Sequence, residues 1–221
     1  MKIDIKNYKH ISFDLWLTLI KSNSEFKTKR NKLFKDFFEI EADEKTVADK
    51  IRYYDLACNN INEKTGLNID TFEIYSLILN SLNHNYENIS FEKLNDYYIE
   101  SELLLLNYKP VLMYSDLKKY LKTIQSEGKT MNLLSNTAFI KGYTLRKIIS
   151  FYELDDFFSF QIYSDECGFS KPNYKIFELV YNEVNKIELM SKSAILHVGD
   201  NKNADYNGAK NYGFDALLIN N

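Results

Sequence analysis

From Thr130 onward the sequence alternates short apolar runs of β character with amphipathic helical stretches, and this restricts the chain to an α/β fold on a parallel sheet. The β-like runs fall at His10 to Leu15, Thr130 to Ser135, Phe158 to Tyr163, Ala194 to Gly199 and Ala216 to Ile219. Between them, Val111 to Gln125 sets Leu117, Tyr120, Leu121 and Ile124 on one face of a predicted helix that stops near Gly128. A second helix is predicted to open at Pro172, with Ile176, Phe177, Val180, Tyr181 and Val184 facing inward, and a third to run from beyond Asn201 to Gly213. Residues from about Ser22 to Asn107 read as helix after helix with no strand, marked by Phe26, Leu33 and Phe37 and by Phe72, Tyr75, Ile78 and Leu82. An all-helical insertion thus separates the first strand from the rest of the sheet. Such an insertion is placed to cover the carboxyl ends of the strands, where α/β sheets bind ligands.

Composition narrows the partners. The 221 residues carry 28 basic and 31 acidic side chains, a net charge of −3, intermixed along the chain. That balance leaves no electrostatic footprint for nucleic acid or an anionic membrane and points to a small-molecule substrate. Lys2, Lys6, Lys9 and His10 interrupt the apolar stretch a secretion signal needs, and the longest apolar runs, such as Leu103 to Leu106, fall far short of a bilayer span. A soluble, cytoplasmic monomer or homodimer is expected. Cys58 and Cys167 stand far apart without a CxxC partner, so neither zinc nor a disulfide is expected.

Four polar points stand at or just beyond the ends of these elements. Asp14 closes the first apolar run in FDLWLTL, with Thr18 four residues on; a carboxylate there can attack phosphorus or carbon and form an aspartyl intermediate. Ser135 follows Leu134 and precedes Asn136, and its hydroxyl suits a phosphate oxygen. Lys171 in GFSKP stands just before a helix start, where an ammonium and backbone N–H groups favour an anion. In HVGDNKNAD, Gly199 and Asp200 end a strand and Asp205 follows, an acidic pair suited to Mg²⁺. Taken singly, each has an ordinary structural reading: a turn or capping aspartate, a helix N-cap, a surface lysine, acids complementing a helix dipole.

The combination is more specific. A nucleophilic acid, a hydroxyl, a lysine and an acidic pair, in that order, resemble the four motifs of the haloacid dehalogenase superfamily, which Asp14, Ser135, Lys171 and Asp200 with Asp205 match across the whole chain. The resemblance implies a Rossmann-like parallel sheet in the order 3-2-1-4-5, with a core of residues 1–21 and 108–221 and a helical cap of residues 22–107. It further implies Mg²⁺ held by Asp14, Asp200 and the carbonyl of Trp16, charge on the substrate met by Ser135 and Lys171, Asp205 orienting Lys171 or a metal-bound water, and Thr18 and Asn136 supporting the site. Family phosphatases carry an acid two residues after the nucleophile; this chain has Trp16, and indole cannot transfer that proton.

A phosphatase acting on a small phosphorylated metabolite is the leading expectation. The dehalogenases of the family also have an aromatic residue at this position and need no metal, but they lack the Gly-Asp pair kept here as Gly199 and Asp200. A third possibility is a quiet homologue that binds a phosphorylated ligand without turnover. A signalling receiver domain gathers similar residues but places its acidic pair early, whereas here an acidic pair comes last. Tyr53, Tyr54, Tyr75, Tyr97 and Tyr98 of the helical block read as packing residues, one or two of them expected to line the substrate chamber. His197 reads as a core residue; His10 and His84 carry no signal.

Overall fold

The computed structural model describes residues 4–82 and 89–219, so His84 lies outside it. The chain forms strand β1 (His10–Phe13), a short β2 (Ile20–Lys21), helices α1 (Ser24–Phe37), α2 (Glu44–Thr65), α3 (Thr71–Ser81) and α4 (Phe91–Asn107), then β3 (Val111–Leu112) and α5 (Leu117–Ser126). There follow β4 (Thr130–Ser135), α6 (Gly142–Phe151), β5 (Phe160–Tyr163), α7 (Ser164–Cys167), α8 (Tyr174–Ile187), β6 (Ile195–Gly199), α9 (Gly208–Tyr212) and β7 (Asp215–Leu218). The main sheet runs β5-β4-β1-β6-β7 with every pairing parallel. Counted along the chain, its strands stand in the expected order 3-2-1-4-5.

Alternation along the strands decides the two layers. Ile11 and Phe13 of β1, Met131 and Leu133 of β4, and Leu196 and Val198 of β6 share one apolar cluster with Leu121 and Ile124 of α5 and Leu145 and Ile149 of α6. Leu134 and Ile195 turn the other way, to Ile176, Phe177 and Val180 of α8 and Ala209 of α9. The central strands are buried except at Thr130, the half-buried first residue of β4, so their polar residues must find partners inside. His10 meets Thr130 Oγ1 at 2.7 Å and Asn132 Oδ1 at 2.9 Å, with Phe160 stacked on its ring.

Because Asn132 Oδ1 can only accept, it fixes the proton on Nε2 of neutral His10, and the Thr130 hydroxyl donates to Nδ1. Burial is the main cause that lowers the imidazole from 6.5 to about 4. The unfolded chain therefore binds a proton that the folded chain refuses, and stability falls as pH drops below the unfolded value of 6.5 and on through the folded value. Between pH 7 and pH 5 this one residue is expected to remove about 2 kcal/mol of unfolding free energy. Urea unfolding at the two pH values, compared with His10→Gln, checks this: the slope shrinks in the variant, and an equal slope contradicts it.

The helical block has its own core. Phe34, Phe38, Val47, Ile51, Tyr75, Ile78, Leu79 and Tyr97 pack together, and Phe139 from the loop after β4 enters the same cluster. Its helices begin on side-chain caps at Asn23, Asp43, Asp70 and Ser90, and α2 ends on Gly66 in the left-handed region at φ 71°. Bonds to the sheet layer hold the block in place: Thr71 Oγ1 donates to Ala138 O, Tyr98 pairs with Thr144, and Asn173 Nδ2 donates to Gly66 O.

Some sequence expectations shift. The helix predicted from Val111 begins at Leu117, because Val111 and Leu112 pair antiparallel with Lys21 and Ile20 where the chain leaves and re-enters the sheet layer. Pro172 lies outside α8, whose N-cap is Asn173, with its side chain accepting from Lys175 N. The strand predicted from Phe158 starts at Phe160, after a 3-10 turn at Asp155–Phe157. The helix predicted beyond Asn201 opens as a π-helical turn, Lys202–Asn207, before α9. Among the described residues both cysteines are free, and no helix is long and apolar enough to cross a membrane.

Candidate active site

Strand β1 delivers Asp14, whose N–H still donates to Val198 O at 2.9 Å, extending the sheet by one residue. The chain then turns back sharply. Leu17 adopts φ 58°, its N–H donates to Ile20 O at 2.7 Å, and Leu19 N–H donates to Leu15 O at 2.9 Å. The turn returns Thr18, buried, to donate from Oγ1 to Asp14 Oδ2 at 2.8 Å.

Lys171 arrives from the segment before α8 and is 1% exposed. An ammonium has three protons, and each finds an oxygen: Asp14 Oδ1 at 2.8 Å, Leu134 O at 2.8 Å and Asp205 Oδ1 at 2.6 Å. Asn136 clasps the same residue by its backbone, donating from Nδ2 to Lys171 O at 3.0 Å and accepting from Lys171 N–H at 2.7 Å. Asp205 is held from three sides: Lys171, His197 Nε2 at 3.2 Å to Oδ1, and the Asn201 N–H at 2.9 Å to Oδ2. Gly199 is required beside it, since a Cβ there would lie 2.2 Å from the Asp205 carboxyl.

Burial raises the Asp14 carboxyl above its ordinary range, and the Lys171 ammonium offsets this only in part. Burial acts the same way on Asp205, but there Lys171 and the bond from His197 win and hold the carboxyl below its usual value. Lys171 is pushed down by burial and pulled up further by Asp14 and Asp205, so it stays charged. Half-buried Asp200 is raised by desolvation and by the Asp205 charge. One cation therefore faces three acids that gather closely: ligand oxygens of Asp14, Asp200 and Asp205 lie within 4.8 Å of one another.

A cavity of about 330 Å³ opens over this cluster, between the sheet rim and helices α1 and α2. Its floor is Asp14, Trp16, Asn136, Lys171, Asp200 and Asp205; its roof includes Phe26 and Arg30 of α1 and Asp55 and Glu63 of α2. Glu63 Oε1 accepts from Asn201 Nδ2 at 2.7 Å, joining roof to floor. The predicted site residues Asp14, Thr18, Lys171, Asp205, Asn136, Asp200 and Trp16 come together here. Ser135 differs, being fully buried outside the cavity wall with its hydroxyl donating to Asn136 O at 3.1 Å. None of the five tyrosines singled out in the helical block lines the cavity; its aromatic side chains are Trp16, Phe26 and Phe139. Tyr75, Tyr97 and Tyr98 are instead buried in the helical core.

Sequence reasoning missed His197, Asn201 and Arg30. His197 is the core residue its apolar strand suggests, fully buried, but its bonds arise only from tertiary pairing, with Ser12 Oγ of the neighbouring β1 3.0 Å from its Nδ1. Arg30 gave no signal, since its helical position differs little from that of its lysine neighbours.

The donors fit a hard divalent cation. Both Asp205 oxygens are engaged by Lys171, His197 and Asn201; each Asp14 oxygen takes one bond, from Thr18 or Lys171, which leaves a lone pair on each, and half-buried Asp200 presents its carboxylate to the cavity. Oxygen ligands few in number, leaving room for water and a substrate phosphate, are the Mg²⁺ pattern.

Comparison with known proteins agrees with the geometry. Residues 8–213 match the family model described as haloacid dehalogenase-like hydrolase. Over 97 residues the chain is 33% identical to a glyceraldehyde 3-phosphate phosphatase of Methanothermobacter thermautotrophicus, covering 44% of this chain and 40% of that one. Over 115 residues it is 27% identical to (S)-2-haloacid dehalogenase 2 of a Pseudomonas species, covering 52% and 45%. The chain thus spans less than half the length of either relative. In fold it is similar to YfnB of Bacillus subtilis, described as a HAD-hydrolase bound to magnesium: TM-score 0.71 and 18% identity, over 97% of this chain and 90% of that one.

Proposed function

The chain belongs to the haloacid dehalogenase-like hydrolase family, and on that premise we propose that it is a Mg²⁺-dependent phosphatase of small metabolites with Asp14 as nucleophile. One observation carries this reading over dehalogenation: Asp200 is retained at the cavity floor with its carboxylate beside that of Asp14. Two such acids facing a dianionic phosphate repel it unless a cation intervenes. Mg²⁺ held by Asp14, Asp200 and the carbonyl of Trp16 would neutralise the phosphoryl oxygens. Residues 22–107 then act as the cap and residues 1–21 with 108–221 as the core.

An Asp14 oxygen attacks phosphorus, the P–O bond to the leaving alcohol breaks, and water later cleaves the aspartyl phosphate. Thr18 and Lys171 fix the carboxylate from either side, and Asn136 fixes Lys171, so the nucleophile is oriented before substrate arrives. Asp205 keeps the ammonium in place, and His197 and Asn201 in turn hold Asp205. Ser135 serves a substrate oxygen only by turning its hydroxyl from the Asn136 carbonyl.

Trp16 sets the expected selectivity. Without a proton donor at that position, alcohols must leave as alkoxides, and losing that assistance should slow alkyl phosphates by about 10²- to 10⁴-fold while acyl and aryl phosphates, better leaving groups, suffer less. A panel of acyl, aryl and alkyl phosphates and 2-haloacids, assayed with and without Mg²⁺, checks both points. Phosphate release that disappears with EDTA is the expected result. The same Trp16 favours the second reading, a dehalogenase, because halide leaves without a proton; halide release independent of Mg²⁺ would establish that reading instead.

A further inference from the structure

Arg30 of α1 projects into the cavity roof and has no part in the chemistry just described. Its bonds run to its own neighbour: Nε–H and Nη2–H both donate to Asn31 Oδ1, at 3.3 and 3.0 Å. The guanidinium carbon lies 4.8 Å from the centre of the Phe139 ring and 5.9 Å from that of Phe26. Aromatic faces hold a cation in position but do not neutralise it.

Four of the five carboxylates lining the cavity are already engaged, and the fifth, Asp200, lies in the acidic cluster proposed to hold Mg²⁺ and makes no ion pair with Arg30. Asp14 and Asp205 face Lys171, Asp55 accepts from Arg52 Nη1 at 2.9 Å, and Glu63 accepts from Asn201. Among the described residues Arg30 therefore has no carboxylate partner, although it is half-buried. A guanidinium offers five N–H donors in a planar fork. Two go to Asn31, which leaves those of Nη1 and the second of Nη2, the end-on pair that matches the two oxygens of a carboxylate. With about 330 Å³ the cavity is at the small end for ligand sites, so the second anion must lie within a few bonds of the phosphate.

We propose that Arg30 receives a carboxylate of the substrate, so that the preferred substrates are short phosphorylated carboxylic acids, not neutral phosphorylated alcohols or bisphosphates. This rests on the phosphatase reading for the phosphate end of the cavity.

The test uses matched pairs: phosphoglycolate against ethyl phosphate, and 2-phosphoglycerate against glycerol 2-phosphate, assayed with Mg²⁺. In the native chain the carboxylate member of each pair should have a kcat/KM at least about tenfold higher, chiefly through KM. In Arg30→Met that ratio should fall toward one, with Arg30→Lys between; comparing ratios removes the small effect of the carboxylate on the leaving group. A ratio near one in the native chain overturns the proposal. So does an Arg30→Met variant that slows both members equally, as a purely structural arginine would, or a preference for propane-1,3-diol bisphosphate over phosphoglycolate. Thermal protection of Asp14→Asn by the same pairs with Mg²⁺, with and without Arg30→Met, decides the matter independently of turnover. If no phosphate ester is hydrolysed, the phosphatase reading fails, while selective protection by phosphoglycolate that depends on Arg30 still upholds the subsite.

Discussion

Asp14→Asn is expected to reduce phosphate release by on the order of 10⁴-fold or more, because an amide oxygen cannot form the aspartyl intermediate on which both halves of the reaction depend. The fold should survive. Asparagine can keep its oxygen on Lys171 while its Nδ2 faces Thr18, whose hydroxyl can turn to accept, and Lys171 keeps Asp205 at 2.6 Å as its counter-ion. Steady-state assays on an acyl phosphate, together with a far-UV spectrum matching the native one, make the comparison clean. A variant retaining a tenth of native activity would mean that another group attacks.

The second large effect is structural as well as catalytic. In Lys171→Met, Asp14 and Asp205 lose the cation they share while both remain buried, at 6% and 2% exposure. Removing one member of a buried ionic cluster typically costs about 3–5 kcal/mol, because the charges left behind stay desolvated. For a chain of this length that lowers the melting temperature by roughly 6–20 °C, alongside loss of turnover. Adding Asp205→Asn should restore part of the stability but none of the activity, since one stranded carboxylate is gone while the nucleophile remains unpositioned. Thermal unfolding of the three proteins at pH 7 decides it. A melting point in Lys171→Met within two or so degrees of native would show that solvent or a counter-ion reaches the cluster.

The sheet was legible because its strands are short apolar runs ending in polar residues. Thr130 to Ser135 and Ala194 to Gly199 lie within a residue of β4 and β6. Where pairing partners lie far apart in sequence, local pattern failed. Val111 and Leu112 look like the start of a helix until Ile20 and Lys21 are placed beside them. The site divides likewise. Asp14, Lys171, Asp200 and Asp205 were legible through their combined order, which resembles the family's motifs, and a parallel sheet brings the segments that carry them to one rim.

What surrounds them is tertiary. His197 and Asn201 hold Asp205 through bonds whose geometry no spacing reports. The cavity roof depends on which faces of α1 and α2 turn inward, and the tyrosine-rich pattern misleads there: Tyr75, Tyr97 and Tyr98 fill the block's own core while Phe26 and Arg30 meet the substrate space. Ser135 shows the limit from the other side, with the right residue at the right strand end and its hydroxyl turned to a neighbouring carbonyl.

The central claim, a carboxylate nucleophile at the end of β1 that takes up phosphorus, is met most directly by trapping the intermediate. Acetyl phosphate and Mg²⁺ are mixed with the chain, quenched in acid within milliseconds, and the peptides weighed. The account predicts a phosphoryl group on the peptide that carries Asp14, absent when Mg²⁺ is withheld and absent from Asp14→Asn. A phosphoryl group on any other residue, or an Asp14 that takes up carbon from a 2-haloacid without metal while ignoring acetyl phosphate, would contradict it.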